Sequence, residues 1–186
     1  MARGDAVIRG ALRLAIAGAG ISYAIDRILA GQSKGADPEP IRSLVVIDAP
    51  IDRVWAVIAD VEDQPRWMTE MKAIRILDDG PIGVGSRCEA DVRMFGITVT
   101  DPVTITEFEP PHRYAISHDG TFTGRGVITL EEGADGTTTI VRWEETLIPP
   151  LLSHLGALAM TPTLGAIFQA DLGRFKELVE TGSIGD

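Results

Sequence analysis

The chain has 186 residues, 45% of them hydrophobic, and a formal charge of −10. This length fits one domain plus an extension, with apolar content sufficient for a real core. Residues 1–40 hold five basic against four acidic side chains, so residues 41–186 carry the whole acidic excess, at −11; with no basic patch, binding to a nucleic-acid backbone is excluded.

Residues 6–31, AVIRGALRLAIAGAGISYAIDRILAG, differ from the rest of the chain. The uncharged run from Leu14 to Ile25 is twelve residues long, short of the roughly 20 a membrane-spanning helix needs. Counted from Val7 to Ala30 the length suffices if Arg9, Arg13 and Arg27 snorkel, but Asp26 counts against it. Ala11, Ala15 and Ala19 recur every four residues, a spacing that permits close helix approach. Three readings stay open for residues 1–30: a hydrophobic helix associated with or anchored in a membrane, an export signal, or a soluble helix packed on the domain or a partner. Arginines ahead of the run favour a cytoplasmic N-terminus for an anchor. The expected location is cytoplasmic or membrane-associated, with membrane contact through residues 6–30. Residues 31–40, GQSKGADPEP, read as a linker.

From residue 41 the pattern is that of one domain, ending near 182. Residues 42–48 are short and β-branched, a strand. Pro50 suits the start of a helix, and Ile51, Val54, Trp55 and Ile58 give it one apolar face. Residues 61–68 predict a second short helix or turn with Trp67 inward. Strands follow over 71–79, 86–96, 97–110, 112–119, 122–132 and 137–147. In the second of these, Arg87, Glu89, Asp91 and Arg93 alternate with Cys88, Ala90, Val92 and Met94, giving a solvated outer face and a buried one. Cys88, the single cysteine, reads as a small buried side chain; it excludes an intrachain disulfide and a thiolate zinc site from this chain alone. Pro102 implies a bulge or an edge. At the C-terminal end, Thr161 and Pro162 predict a helix start, with Leu164, Phe168, Leu172, Phe175 and Val179 on one face and Gly182 as C-cap. Residues 148–160 between strand and helix are apolar and proline-marked.

No helix separates the late strands, so the class is α+β with a largely antiparallel sheet. Small residues on the strands, Ala90, Ala115, Gly124 and Gly126, leave room between a curved sheet and a long helix.

The stretch APIDRVWAVIADVEDQPRW resembles the opening of the START/Bet v 1-like superfamily, the polyketide cyclase–lipid transport group, through Ala49, Pro50, Val54, Trp55, Ile58, Asp60 and Trp67. PIGVGSRCEAD, GTTTIVRWEETL and GRFKELVETG resemble later family elements in their order, over about residues 42–182. The resemblance implies a helix-grip fold: a curved seven-stranded antiparallel sheet wrapped around a long C-terminal helix, here with an N-terminal helical extension. It also implies an apolar pocket for a small hydrophobic ligand of lipid, polyketide or isoprenoid type. Some members cyclise or dehydrate what they bind, so an acid/base enzyme is one alternative and a partner-binding module with a filled core is another. The family carries no universal catalytic set, and no cofactor is expected.

The expected pocket wall comprises Trp67, Val92, Met94, Ile116 and Trp143 from the first part of the domain. Leu155, Met160, Leu164, Phe168 and Leu172 complete it, with LLSHLGALAM at the mouth. His118 and Glu145 are the acid/base candidates. Tyr114, Ile116 and His118 share one strand face; Val141, Trp143 and Glu145 share another. An inward Glu145 is costly unless paired, which favours a place beyond the packed region, and His118 beside the Asp119-Gly120 turn favours the rim. His112 reads as loop and His154 as surface. No pair of histidines has metal-ligand spacing, and no nucleophile-elbow turn is present.

Overall fold

The computed structural model describes residues 2–32, 37–94 and 96–184, with backbone only for 2–14, 16 and 94. In chain order they form helix α1 (Ala2–Gln32), strand β1 (Ile41–Ile47), helix α2 (Ile51–Ala59), the 3-10 turn Val61–Arg66, strands β2 (Met71–Ile76), β3 (Arg87–Met94), β4 (Ile97–Glu109), β5 (Arg113–Asp119), β6 (Thr123–Glu132) and β7 (Thr139–Ile148), and helix α3 (Ser153–Thr181). The seven strands make one curved antiparallel sheet in the order β1-β7-β6-β5-β4-β3-β2. Register shifts at Met71/Ala73 and Ile105/Glu107 mark bulges, which bend a sheet. Pro102 lies just beyond the β4–β5 ladder, which begins at Val103, so it is locally at an edge.

Helix α2 buries Ile51, Val54, Trp55 and Ile58, the face its spacing predicts. Its Trp55 ring meets Phe108 edge-on at 5.2 Å. The sheet and α3 are joined by a cluster of aromatic rings. Trp67, 1% exposed, lies 4.9 Å from Phe175 and 6.0 Å from Trp143, and Trp143 lies 4.7 Å from Phe168. Contacts of this kind add about 0.5–1.5 kcal/mol each beyond area burial. The free edge of β1 is covered by polar side chains of α3. Gln169 exchanges hydrogen bonds with the backbone of Leu44, Lys176 donates to the Val46 carbonyl, and Glu180 accepts from the Asp48 amide. These spacings of seven and four put all three on one helical face, satisfying an edge that otherwise invites pairing with another chain.

The start of α3 departs from the sequence expectation. The helix begins at Ser153, not at Thr161, and Pro162 lies inside it. Thr161 is no N-cap; its hydroxyl donates to the Ala157 carbonyl one turn back. The true N-cap, Leu152, is left-handed (φ 54°, ψ 56°) and offers no side-chain oxygen. The cap comes from elsewhere: Asp26 Oδ1 on α1 accepts from the amides of His154 and Leu155, both at 2.8 Å. A carboxylate at a helix start satisfies orphan donors and meets the positive end of the helix dipole. Asp26 is 7% exposed, buried between the two helices. α1 thus packs on α3. Ile21, Tyr23 and Ile28 remain exposed on it. Among the described residues no helix is long and apolar enough to cross a membrane, so the spanning reading of residues 1–30 is corrected.

Replacing Asp26 by Ala should lower unfolding stability by about 1 kcal/mol, the usual loss of a cap. It should also speed tryptic cleavage at Arg27; urea titration and timed digestion check both.

Candidate functional site

A cavity of about 110 Å³ lies between the concave face of the sheet and α3, partly open to solvent. Its wall is mainly apolar. Met68 and Met71 come from the start of β2 and the turn before it, Val92 and Val99 from the β3–β4 hairpin, and Ile116, Ile128, Trp143 and Leu147 from β5, β6 and β7. Phe168 of α3 closes one side. The space is comparable to the roughly 150 Å³ hollow that accepts benzene in another protein.

Of the residues expected to line it, Val92, Ile116, Trp143 and Phe168 do so. Trp67, Leu164 and Leu172 instead are fully buried core side chains outside the lining. Trp67 is drawn away by its tilted ring contact with Phe175, and Leu164 and Leu172 by the core they share. Leu155 and Met160 are half-buried on the early turns of α3 and are not part of the wall, because that segment, the expected mouth, is helical and docks on α1. The Met94 side chain lies outside the described residues. Ala115 faces away from the cavity, being one residue out of phase with Tyr114 and Ile116.

Three titratable side chains of the cavity and one indole meet in a cluster. His118 Nδ1 lies 2.8 Å from Asp101 Oδ2, and its Nε2 lies 2.8 Å from Glu145 Oε1. The indole Nε1 of Trp143 donates to Glu145 Oε2, also at 2.8 Å. All are well buried; the His118 side chain is 14% exposed and that of Glu145 5%. Neither expectation for these two residues holds: His118 is not at the rim, and Glu145 is inside, paired on both oxygens.

The strand register explains how they meet. His118 is on β5 and Glu145 on β7, with β6 between them. Neighbouring strands lie about 4.8 Å apart, so the two backbones are separated by about twice that. On β6, the residue opposite His118 is Gly124, and the residue opposite both Ile116 and Glu145 is Gly126. With no side chain there, the imidazole and the carboxylate lean over β6 and touch. A Cβ at Gly126 would fall 2.6 Å from Glu145 Oε2. Asp101 reaches His118 from the other side, and a Cβ on Gly120 would fall 2.1 Å from its Oδ1. Two of the small residues that suggest a hollow in the sequence, Gly124 and Gly126, thus serve to bring charges together. Sequence reasoning misses Asp101 because ITVTDPVTITE reads as an ordinary strand with a proline; its place diagonal to His118 depends on register that the sequence does not display.

Burial alone pushes the His118 pKa down, and it is the largest single influence. The hydrogen bonds and charges of Asp101 and Glu145 together outweigh it and lift the value from 6.5 to about 10. At neutral pH the ring is therefore an imidazolium with both N–H groups engaged. Elsewhere on the wall Asp171 of α3 accepts from the amide and hydroxyl of Thr69, at 3.0 and 2.7 Å; burial raises its pKa, against those bonds and Arg174. Burial likewise pushes up the Cys88 thiol, in keeping with an inert strand residue. On the outer face Arg75 of β2 pairs with Asp91 and Glu89 of β3, the cross-strand pairing expected there, and Arg87 pairs with Asp78 in the turn after β2. Among the described residues no group of three or more His, Cys, Asp or Glu side chains could hold a metal ion.

Residues 41–180 match the family model described as polyketide cyclase/dehydrase and lipid transport. The chain belongs to that family. Solved structures share this cyclase–transport fold. One, from Thermus thermophilus, is 18% identical with a TM-score of 0.62, covering 77% of this chain and 99% of its own. Another, from Deinococcus radiodurans, is 23% identical (TM-score 0.57; 77% and 98%). A START superfamily protein from Mycobacterium smegmatis is 16% identical (TM-score 0.56; 75% and 99%). No curated protein matches the chain. The family match begins at β1, so α1 with its Asp26 cap lies ahead of the cyclase–transport domain.

Because the folded pKa of His118 is raised, its protonation stabilises the protein fully below about pH 6.5, and that contribution is lost as pH rises towards 10. Urea midpoints between pH 6 and 10 should fall more steeply in wild type than in His118→Gln. In Gly126→Ala, where Glu145 is pushed aside, the imidazole NMR titration should move at least one pH unit lower.

Proposed function

We propose that the protein binds or carries a small hydrophobic ligand, of lipid, polyketide or isoprenoid type, in the cavity between sheet and α3. The observation that supports this most is the cavity wall itself, aliphatic and aromatic over most of its extent. Such a site draws affinity from apolar burial and orientation from its polar atoms. A two-ring ligand burying about 200 Å² gains roughly 5 kcal/mol before the cost of association. A core closed by its own side chains, as a pure partner-binding module would have, fits less well with open space of about 110 Å³. Methionines 68 and 71 suit a wall that adapts to its occupant. Membrane contact through residues 6–30 is not required by this reading.

Native mass spectrometry of freshly purified protein should show a stoichiometric apolar adduct, extractable into organic solvent. Ile116→Trp, which fills the hollow, should abolish it. No adduct, together with no uptake of added hydrophobic compounds, would remove the reading.

A second reading, an acid/base enzyme acting on the bound ligand, is favoured by the Asp101–His118–Glu145 cluster. With His118 protonated, Glu145 or Asp101 would take a proton and the imidazolium would steady the charge that develops. His118→Gln should then retain ligand and lose turnover of a cyclisable or dehydratable substrate; retained turnover excludes the role.

A further inference from the structure

The charge pattern of the cavity restricts what the ligand's polar end can be. Among the described lining residues there are four carboxylates, Glu70, Asp101, Glu145 and Asp171, against one cationic side chain, His118, and no lysine or arginine. Arg174 approaches Asp171 only at 3.9 Å and from outside the lining.

Within the cluster the donors are already committed. Both ring N–H groups of His118 and the indole N–H of Trp143 point to carboxylate oxygens. What remains is acceptor capacity: the second lone pairs of Glu145, and Asp101 Oδ1, which is buried and has no hydrogen-bond partner. The Gln64 side chain, 3% exposed, also lines the cavity, where it hydrogen-bonds the Tyr114 hydroxyl.

We infer that, if the cavity is a ligand site as proposed above, it selects hydrophobic molecules whose polar group donates a hydrogen bond, a hydroxyl, phenol or amine, and rejects those ending in a carboxylate. An anionic headgroup would bring a further negative charge into an apolar space that already holds a negative excess. It would find no free cationic donor among the described lining residues. A hydroxyl gives its proton to Glu145 or Asp101 and can still accept from another group. An amine adds charge complementarity. A free fatty acid satisfies neither condition.

The test uses four probes with one ring system: 2-naphthol, 2-naphthylmethylamine, 2-naphthoate and unsubstituted naphthalene. Binding to the full-length protein is measured by calorimetry at pH 7.5. Naphthol and the amine should bind at least tenfold more tightly than naphthoate, and more tightly than naphthalene. Glu145→Gln and Asp101→Asn, each removing one negative charge, should narrow the gap between naphthol and naphthoate. Two separate variants guard against one failing to fold. Equal binding of naphthoate and naphthol in wild type overturns the selectivity while leaving the cavity reading intact. If none of the four binds, the cavity reading falls and the selectivity with it.

Discussion

A charged imidazole in a greasy hollow is tolerable only while carboxylates flank it. That constraint organises the inner face of this sheet. It requires acidic residues at set positions on β4 and β7, and a strand between His118 and Glu145 that is bare of side chains at two points. The two glycines of β6 meet that need. The same strand leaves the indole of Trp143 close enough to hold the far oxygen of Glu145. Trp143 therefore belongs to two systems at once: its ring packs against Phe168 and edge-on to Trp67, while its N–H fixes the buried carboxylate. The aromatic cluster and the polar cluster share a wall, so the position of α3 and the position of the charges are mechanically linked.

Much of this architecture is legible in the sequence. Runs of strand-forming residues bounded by turns locate the strands, most plainly the alternating β3, and the spacing of Ile51, Val54, Trp55 and Ile58 locates α2 with its buried face. Both are signals that depend on local chemistry alone. Alternation also puts Tyr114, Ile116 and His118 on one face, and Val141, Trp143 and Glu145 on another. What sequence cannot supply is the distance between those two faces. That distance follows from β5 and β7 being next-nearest neighbours, and from glycine at the intervening positions. Without it, the cost of burying Glu145 argues for the wrong location. The partner that removes the cost, His118, is on another strand, and Asp101 gives no local sign of its role.

The start of α3 escapes sequence reasoning for a related reason. Thr161-Pro162 is a sound local signal for a helix N-terminus, and nothing between Leu151 and Met160 provides a capping side chain in the right place. The cap is Asp26, more than a hundred residues earlier in the chain. A local rule is overridden by a tertiary contact. Likewise the pattern marks Trp67, Leu164 and Leu172 as inward, but inward divides into packed core and cavity wall, and only the arrangement of neighbouring rings decides between them.

The Asp26 cap bears on where this folding unit begins. The family resemblance opens at β1, which suggests that everything before it is dispensable. Yet the first amides of the closing helix find their acceptor on the leader. A protein trimmed to the family boundary would keep its sheet and lose the anchor for the first turn of α3. The leader is in that sense a remote piece of the terminal helix, and the working module is larger than its recognisable family part.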